Sequence, residues 1–260
     1  MNRLVLENIY STYYSGQKLL PVLEGLSLQV GAGEFVSVLG PSGSGKSTIL
    51  KHAAGLLKPD QGVVYLEGNE ITGQPQQVSY MPQQDLLFPW KTLQENAALP
   101  LLAAGLSKKE ALARVEKLLP DFGLSGFAAY YPHQLSGGMR QRAALLRTIM
   151  VESKLMLLDE PFAALDALTR ESLQDWLLKI WSHFRRSVLF VTHSIDEAIY
   201  LSDRIFVITD RPGRIKLEQN IDLLRPRMRK VVTTAEYTLY KKLLIDALSN
   251  NRSGDAHGSG

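Results

Sequence analysis

The sequence predicts a mixed α/β fold: a parallel-sheet core interrupted by a helical insertion. Three observations carry this. Short β-rich runs separated by turns occupy the first ninety residues. From about Phe88 to Met150 the apolar spacing becomes helical. Apolar runs then return at 154–159 and 188–192, with a helical stretch between them. Strands separated by helices favour a parallel sheet covered on both faces.

The elements follow in order. Residues 4–9, 26–30, 34–39 and 63–66 are strand candidates. Gly31-Ala-Gly33-Glu34 reads as a tight turn, and 46–57 as a helix after a glycine-rich loop. Ser107-x-x-Glu110 is a capping-box pattern ahead of Ala111, Val115 and Leu118 on one helical face. Residues 121–131 form a loop with Gly123 and Gly126; Gly138 then opens a helix carrying Ala143, Ala144, Leu145, Leu146, Ile149 and Met150. A helix at 170–184 precedes the strand 188–192. Ser194-x-x-Glu197 is a second capping box, and 205–209 and 214–217 complete a sheet edge. A last helix, 234–249, is expected to bury Leu239, Leu243, Leu244 and Leu248.

Composition bounds the function. At 260 residues, 45% apolar and 21% charged, the chain is an ordinary globular protein with a sizeable core, not a disordered, collagenous or disulfide-built one. With no cysteine it holds neither disulfides nor cysteine-ligated zinc. Its 29 basic against 26 acidic residues leave no large electrostatic footprint for nucleic acid. The longest weakly polar stretch, 97–106, is about half of the roughly 20 residues that span a bilayer. The N-terminus lacks the apolar run of a signal peptide, so the chain is expected to stay where it is made. Residues 251–260 read as a disordered end.

Gly40-Pro41-Ser42-Gly43-Ser44-Gly45-Lys46-Ser47-Thr48 matches G-x-x-x-x-G-K-[ST] between a strand and a helix, the context a phosphate-binding loop requires. Gly43 and Gly45 let the backbone curl so that successive N–H groups point inward. The helix start adds positive potential. Lys46 brings a full charge to the outer phosphates, Ser47 a hydroxyl for Mg²⁺, and Thr48 a hydroxyl for a phosphate oxygen.

Residues 155–160, LMLLDE, form an apolar strand ending in two acids at the edge where open α/β sheets bind ligands. Asp159 is the candidate Mg²⁺ partner and Glu160 the candidate base for an attacking water. The plainer alternative is a helix-capping acid pair. His193 ends another strand, where it is expected to hydrogen-bond the γ-phosphate; the alternative is a structural histidine. Gln83, with Gln84 as rival, ends the strand 78–82 before the insertion and is expected to touch Mg²⁺ and water. Residues 86–90, LLFPW, are either insertion core or a groove for a partner helix. Tyr13, and after it Tyr14, lie in an expected loop upstream of the phosphate loop and are candidates to stack on adenine.

Residues 135–141, LSGGMRQ, place Ser136, Gly137 and Gly138 at a second anion-receptive helix start, about 90 residues after the first. The economical arrangement is a head-to-tail homodimer in which Ser136 of one copy completes the phosphate site of the other, with two ATP at the interface.

With these residues in hand, the chain resembles the ATP-binding subunit of ATP-binding-cassette (ABC) transporters from about Leu4 to Arg227. The match carries the phosphate loop, Gln83, LSGGMRQR, Asp159-Glu160, Ala164-Leu165-Asp166 and His193 in family order. The resemblance implies a P-loop NTPase (RecA-like) core with an N-terminal antiparallel β subdomain and a helical insertion. It divides the chain into a core lobe at 1–87 and 151–230, a helical subdomain at 88–150 and a C-terminal helix at 231–250. It implies ATP hydrolysis with Mg²⁺ held through Ser47, Gln83 and Asp159, and contact of Asp166 with the opposing phosphate loop. The implied partners are a second copy of the chain, two integral membrane permease subunits and, indirectly, a solute-binding protein, with no nucleic acid. The implied location is peripheral, on the cytoplasmic face of the inner membrane. The segments LFPW at 87–90, PFAALD at 161–166, THSIDEA at 192–198, RPGRI at 211–215 and IDLLRPR at 221–227 are similar to the nitrate/sulfonate/taurine importer branch, which includes thiamine-pyrimidine-precursor importers. A soluble ABC ATPase acting on nucleic acid or ribosomes is the alternative, and a P-loop kinase a more distant one.

Overall fold

In the computed structural model, residues 2–16, 18–75, 78–163 and 165–249 are described. Expectations for Ala164 and for the tail 251–260 lie outside the described residues. Two compact units are formed: Met1–Gln76 with Ser187–Gly260, and Gln77–Arg186.

The chain opens in the first unit with a long hairpin, β1 (Asn2–Ser15) and β2 (Lys18–Gly31). Leu4, Leu6 and Ile9 of β1 and Leu26, Leu28 and Val30 of β2 are buried, the alternation of a sheet with one solvated face. The strand runs through Tyr13 and Tyr14, which pair with Leu20 and Leu19, so the expected loop there is not formed. Thr12, Tyr13 and Tyr14 are strand formers, and the turn falls at Gly16 (φ +62°). Then come β3 (Phe35–Leu39), α1 (Lys46–Ala53), β4 (Gln61–Leu66) and β5 (Asn69–Glu70). An antiparallel sheet takes the order β2-β1-β4-β5. Helix α1 stops four residues earlier than expected, because Gly55 takes φ +69°. A Cβ at Gly55 would stand 1.9 Å from the carbonyl oxygen of Gln74, which leaves room for glycine alone.

The second unit starts with β6 (Ser79–Met81) and α2 (Leu93–Ala103), followed by α3 (Lys108–Leu118) and α4 (Gly137–Ile149). Its strand β7 (Leu155–Asp159) pairs in parallel with β6, and α5 (Ala167–Phe184) follows. The Ser107–Glu110 capping box is formed reciprocally, and Thr92 and Glu95 make a second one at α2. Helix α5 begins three residues earlier than expected, because Asp166 caps it: its Oδ1 accepts from the N–H of Thr169 at 3.0 Å.

The chain returns to the first unit through β8 (Ser187–Thr192), α6 (Ile195–Leu201), β9 (Arg204–Ile208), β10 (Ile215–Asn220) and α7 (Ala235–Ser249). Strand β3 lies between β8 and β9, parallel to both, and β10 joins β9 antiparallel. Every residue of β3 and β8 is buried, as expected of a sheet covered on both faces. The Ser194 box is only half made. Ser194 accepts from Glu197 N–H, but the Glu197 carboxylate turns to the Thr192 hydroxyl at 2.5 Å. Helix α7 also departs from expectation: Leu239 is 68% and Leu243 38% exposed, and Tyr237 and Leu244 are its buried residues. These two join Leu39, Ala198, Ile199, Ile205 and Val207 in one core cluster.

Candidate functional site

In the first unit, the segment 40–45 links the end of β3 to α1, with Gly43 at φ +81° and Gly45 at φ +98°. Only glycine adopts such angles without strain. Gly45 also passes close to β2: a Cβ there would lie 2.8 Å from a Leu23 methyl. Gly40 is pressed the same way, 2.5 Å from Ile208. Lys46 is buried, and its ammonium donates to the carbonyls of Gly40 (3.0 Å) and Pro41 (2.7 Å). Ser44 donates its hydroxyl to Pro41 O at 2.8 Å. The loop is thus closed on itself, with its cation inside and Ser42 and Gly43 at the surface.

His193 stands beside this loop. Leu39 pairs with Thr192, and the N–H of Gly40 donates to Thr192 O at 3.4 Å, so the next register position places His193 alongside the loop's first residues. Its side chain is exposed, not a core histidine. On the other side, the Tyr13 hydroxyl lies 3.2 Å from Thr48 Oγ1. Alternate residues of a strand face opposite ways, so Tyr13 faces the helix after the loop while Tyr14, 80% exposed, does not. Ser47 sits half-buried in the first turn of α1.

The second unit carries the acids. Strand β7 is buried throughout, and Asp159 ends it at 4% exposure, accepting from the Tyr80 hydroxyl at 3.4 Å. Burial first, then the Asp159 charge, pushes the Tyr80 phenol up to about 12. Glu160 follows at φ +43°, a conformation that costs a non-glycine residue about 1–3 kcal/mol. The capping alternative for this acid pair fails, since the helix cap belongs to Asp166. The carboxylate of Asp166 is held below its usual range by its bonds to Thr169.

Ser136 caps α4, accepting from Met139 N–H at 3.2 Å, and Ser136 and Gly137 are exposed. Gly138 is half-buried; a Cβ there would come 2.9 Å from Thr169 of α5. Gly137 and Gln83 line one open cavity of about 740 Å³ with Gln84, Arg140, Gln141 and Leu165. Of the 86–90 run, Leu87 is buried, whereas Leu86, Phe88 and Trp90 are exposed and the Phe88 and Trp90 rings stack at 5.2 Å. The run is therefore an anchored surface, not insertion core.

Several partners were not foreseen from the sequence. Tyr80 on Asp159 comes from a strand 79 residues upstream. Arg140 pairs with Asp85 at 3.2 Å, and Arg147 donates to the carbonyls of Asp85 and Leu86. Gln141 donates to Pro161 O. None of these has a short-range signal.

Each unit by itself carries oxygen donors: the Ser47 hydroxyl in the first, and the Asp159 carboxylate and Gln83 amide in the second. Among the described residues no group of three or more His, Cys, Asp or Glu is placed to hold a metal. Hydroxyl, carboxylate and amide oxygens are each of the donor type that Mg²⁺ takes.

The family model described as "ABC transporter" matches residues 23–163. The formylaminopyrimidine import ATP-binding protein ThiZ of Halalkalibacterium halodurans is 43% identical over 233 residues, covering 90% of this chain and 89% of that one. The aliphatic sulfonates import ATP-binding protein SsuB of Bacillus licheniformis is 42% identical over 241 residues, 92% of each chain. Among solved structures, a dimeric post-hydrolysis state of an ATP-binding cassette bound to ADP and Pi aligns with TM-score 0.75 at 32% identity, covering 85% of this chain and all of that one. With a family match over more than half its length and relatives of this identity along nine-tenths of it, the chain belongs to the ABC transporter family, as one of its ATP-binding subunits.

Proposed function

We propose that this chain is the ATP-hydrolysing subunit of an importer that carries a small solute of the nitrate, sulfonate, taurine or thiamine-pyrimidine-precursor type. The observation that carries the ATPase part is the closed phosphate loop at the end of β3, with Lys46 inside it and His193 one strand away. The import direction and solute range rest on the names of the relatives.

The reaction is ATP + H₂O → ADP + phosphate. Loop N–H groups hold the inner phosphates, and Lys46 exchanges its carbonyl partners for phosphate oxygens. Tyr13 stacks on adenine, and Thr48 offers its hydroxyl to a phosphate oxygen. Ser47, Asp159 and Gln83 would hold Mg²⁺, which would supply positive charge against the phosphates. Glu160 takes the proton of the attacking water as its oxygen bonds the γ-phosphorus, and the bond to the ADP oxygen breaks. His193 fixes the γ-phosphate by a hydrogen bond.

Two copies assemble head to tail, with Ser136, Gly137, Gly138 and Asp166 of each facing the nucleotide of the other. The chain works on the cytoplasmic face of the inner membrane, bound to two permease subunits that a solute-binding protein serves. Leu86, Phe88 and Trp90 form the surface on which a permease helix docks. No helix among the described residues is long and apolar enough to cross a membrane.

Affinity purification of the tagged chain from membranes is the test. We expect an integral membrane subunit to co-purify, and vesicles rebuilt from the pair to hydrolyse ATP faster with a cognate solute-binding protein. Recovery with RNA or ribosomes, and with no membrane subunit, would overturn the importer reading.

A further inference from the structure

The 211–215 segment, RPGRI, has no part in the roles above, yet in the first unit it lies against the phosphate loop. Arg211 donates from Nε and from Nη2 to the carbonyl of Gly43, at 3.0 and 2.8 Å. The segment is itself anchored. Gly213 N–H donates to Val22 O at 2.8 Å, and Glu24 N–H donates to Gly213 O at 3.1 Å. Arg214 pairs with Glu24 at 2.7 Å, and the Thr209 hydroxyl closes the turn on Pro212 O at 3.0 Å. A Cβ at Gly213 would stand 2.4 Å from Ser44 O, so glycine is what lets the segment come this close. Arg211 therefore reaches the loop from a fixed base.

We propose that Arg211 is a positioning residue of the phosphate loop: its guanidinium holds and polarises the Gly43–Ser44 peptide, setting the Ser44 N–H for the nucleotide's inner phosphates. A carbonyl that accepts from a cation strengthens the donor at the other end of the same peptide. The Ser44 N–H makes a long contact, 3.4 Å, with Pro41 O, which a phosphate oxygen displaces at little cost. Gly43 at φ +81° is otherwise free to wander, and holding it before binding lowers the ordering cost of binding. The inference rests on the loop being the ATP site.

Loop N–H groups cradle the α- and β-phosphates, which ATP and ADP share. Fluorescent ATP and ADP analogues titrated onto the full chain therefore provide the test. Arg211→Ala should weaken both nucleotides about tenfold, the worth of a hydrogen bond from a charged group. Its kcat at saturating ATP should stay within about twofold, because the clamp acts alike before and during reaction. Arg211→Lys should recover part of the loss, since an ammonium supplies charge without the two-pronged fork. Unchanged affinity in Arg211→Ala overturns the proposal. A loss confined to ATP does so too, because it marks direct contact with the γ-phosphate. So does an equal loss in both variants with a lowered thermal midpoint, because the loop has then simply come undone. Lys46→Ala keeps the two ideas apart. If it binds ATP like the wild type, the ATP reading of the loop fails; if it loses ATP while Arg211→Ala does not, only the Arg211 proposal fails.

Discussion

Glu160 is a carboxylate held in a conformation that side chains avoid, directly after a strand whose every residue is buried. Strain of about 1–3 kcal/mol persists only where its surroundings enforce it, and here it falls on the acid directly after the end of β7. Asp159, one residue earlier, is instead turned inward against Tyr80. The two neighbours thus differ in burial: Asp159 is buried and Glu160 half-buried. Glu160→Gln keeps shape and nearly all contacts but cannot take a proton. It is expected to bind ATP as the wild type does and to turn over about 10²–10⁴ times more slowly, the usual worth of acid–base action. Nucleotide titration and phosphate release on the same preparation check this, and wild-type turnover would remove Glu160 from the role. At this scale the sequence was most legible where chemistry is local. The phosphate loop, LSGGMRQ and the strand running into Asp159-Glu160 each carry their meaning within nine residues. Tyr80 on Asp159 and Arg211 on Gly43 join residues far apart in the chain, and no spacing rule reaches them.

Helix α6 shows how an element is held from outside. It has seven residues, too few to be stable alone. Ser194 supplies its first cap, and three arginines of the 225–229 segment gather at its other end. Arg227 is buried and donates to the carbonyls of Ile199 (3.0 Å), Tyr200 (3.1 Å) and Ser202 (2.7 Å). Arg225 takes Leu201 O at 2.7 Å, and Arg229 lies over the Tyr200 ring. The last carbonyls of a helix lack donors from the helix itself, and a cation there also answers the helix dipole. Burial, then the neighbouring Arg225 charge, brings the Arg227 guanidinium down to about 10, so it stays charged at neutral pH. Arg227→Met fills the space but strands the carbonyls, and should cost about 3 kcal/mol. Urea unfolding of the two proteins measures it; an unchanged midpoint would mean that the carbonyls find other donors. Capping boxes at Ser107 and strand periods in β3, β7 and β8 were readable because each depends on neighbours in the chain. The ends of α1 and α5 and the exposed face of α7 were misjudged. There a glycine stop at Gly55, an aspartate cap at Asp166 and the packing of Tyr237 outweigh apolar spacing.

For the whole molecule, the question is whether one copy owns a finished site. The first unit supplies a complete phosphate loop and His193. The second supplies another helix start of the same kind, whose cap, Ser136, is exposed and whose Gly137 lines an open cavity. A free helix N-terminus attracts anions, and an ATP-binding cassette at 32% identity is dimeric with ADP and Pi. Both facts fit a second copy bringing Ser136 to the phosphates. Ser136→Arg tests this in a Glu160→Gln background, where bound ATP is retained. Losing the cap costs about 1 kcal/mol, too little to unfold a domain of this size. The bulk and orientation of the arginine, however, obstruct a closely packed nucleotide interface. Light scattering should show ATP driving the background protein from monomer to dimer and leaving the Ser136→Arg protein monomeric. Nucleotide titration should give both the same monomer affinity. If the Ser136→Arg protein dimerises with ATP as readily as its parent, Ser136 does not face the partner's nucleotide and each copy completes its own site.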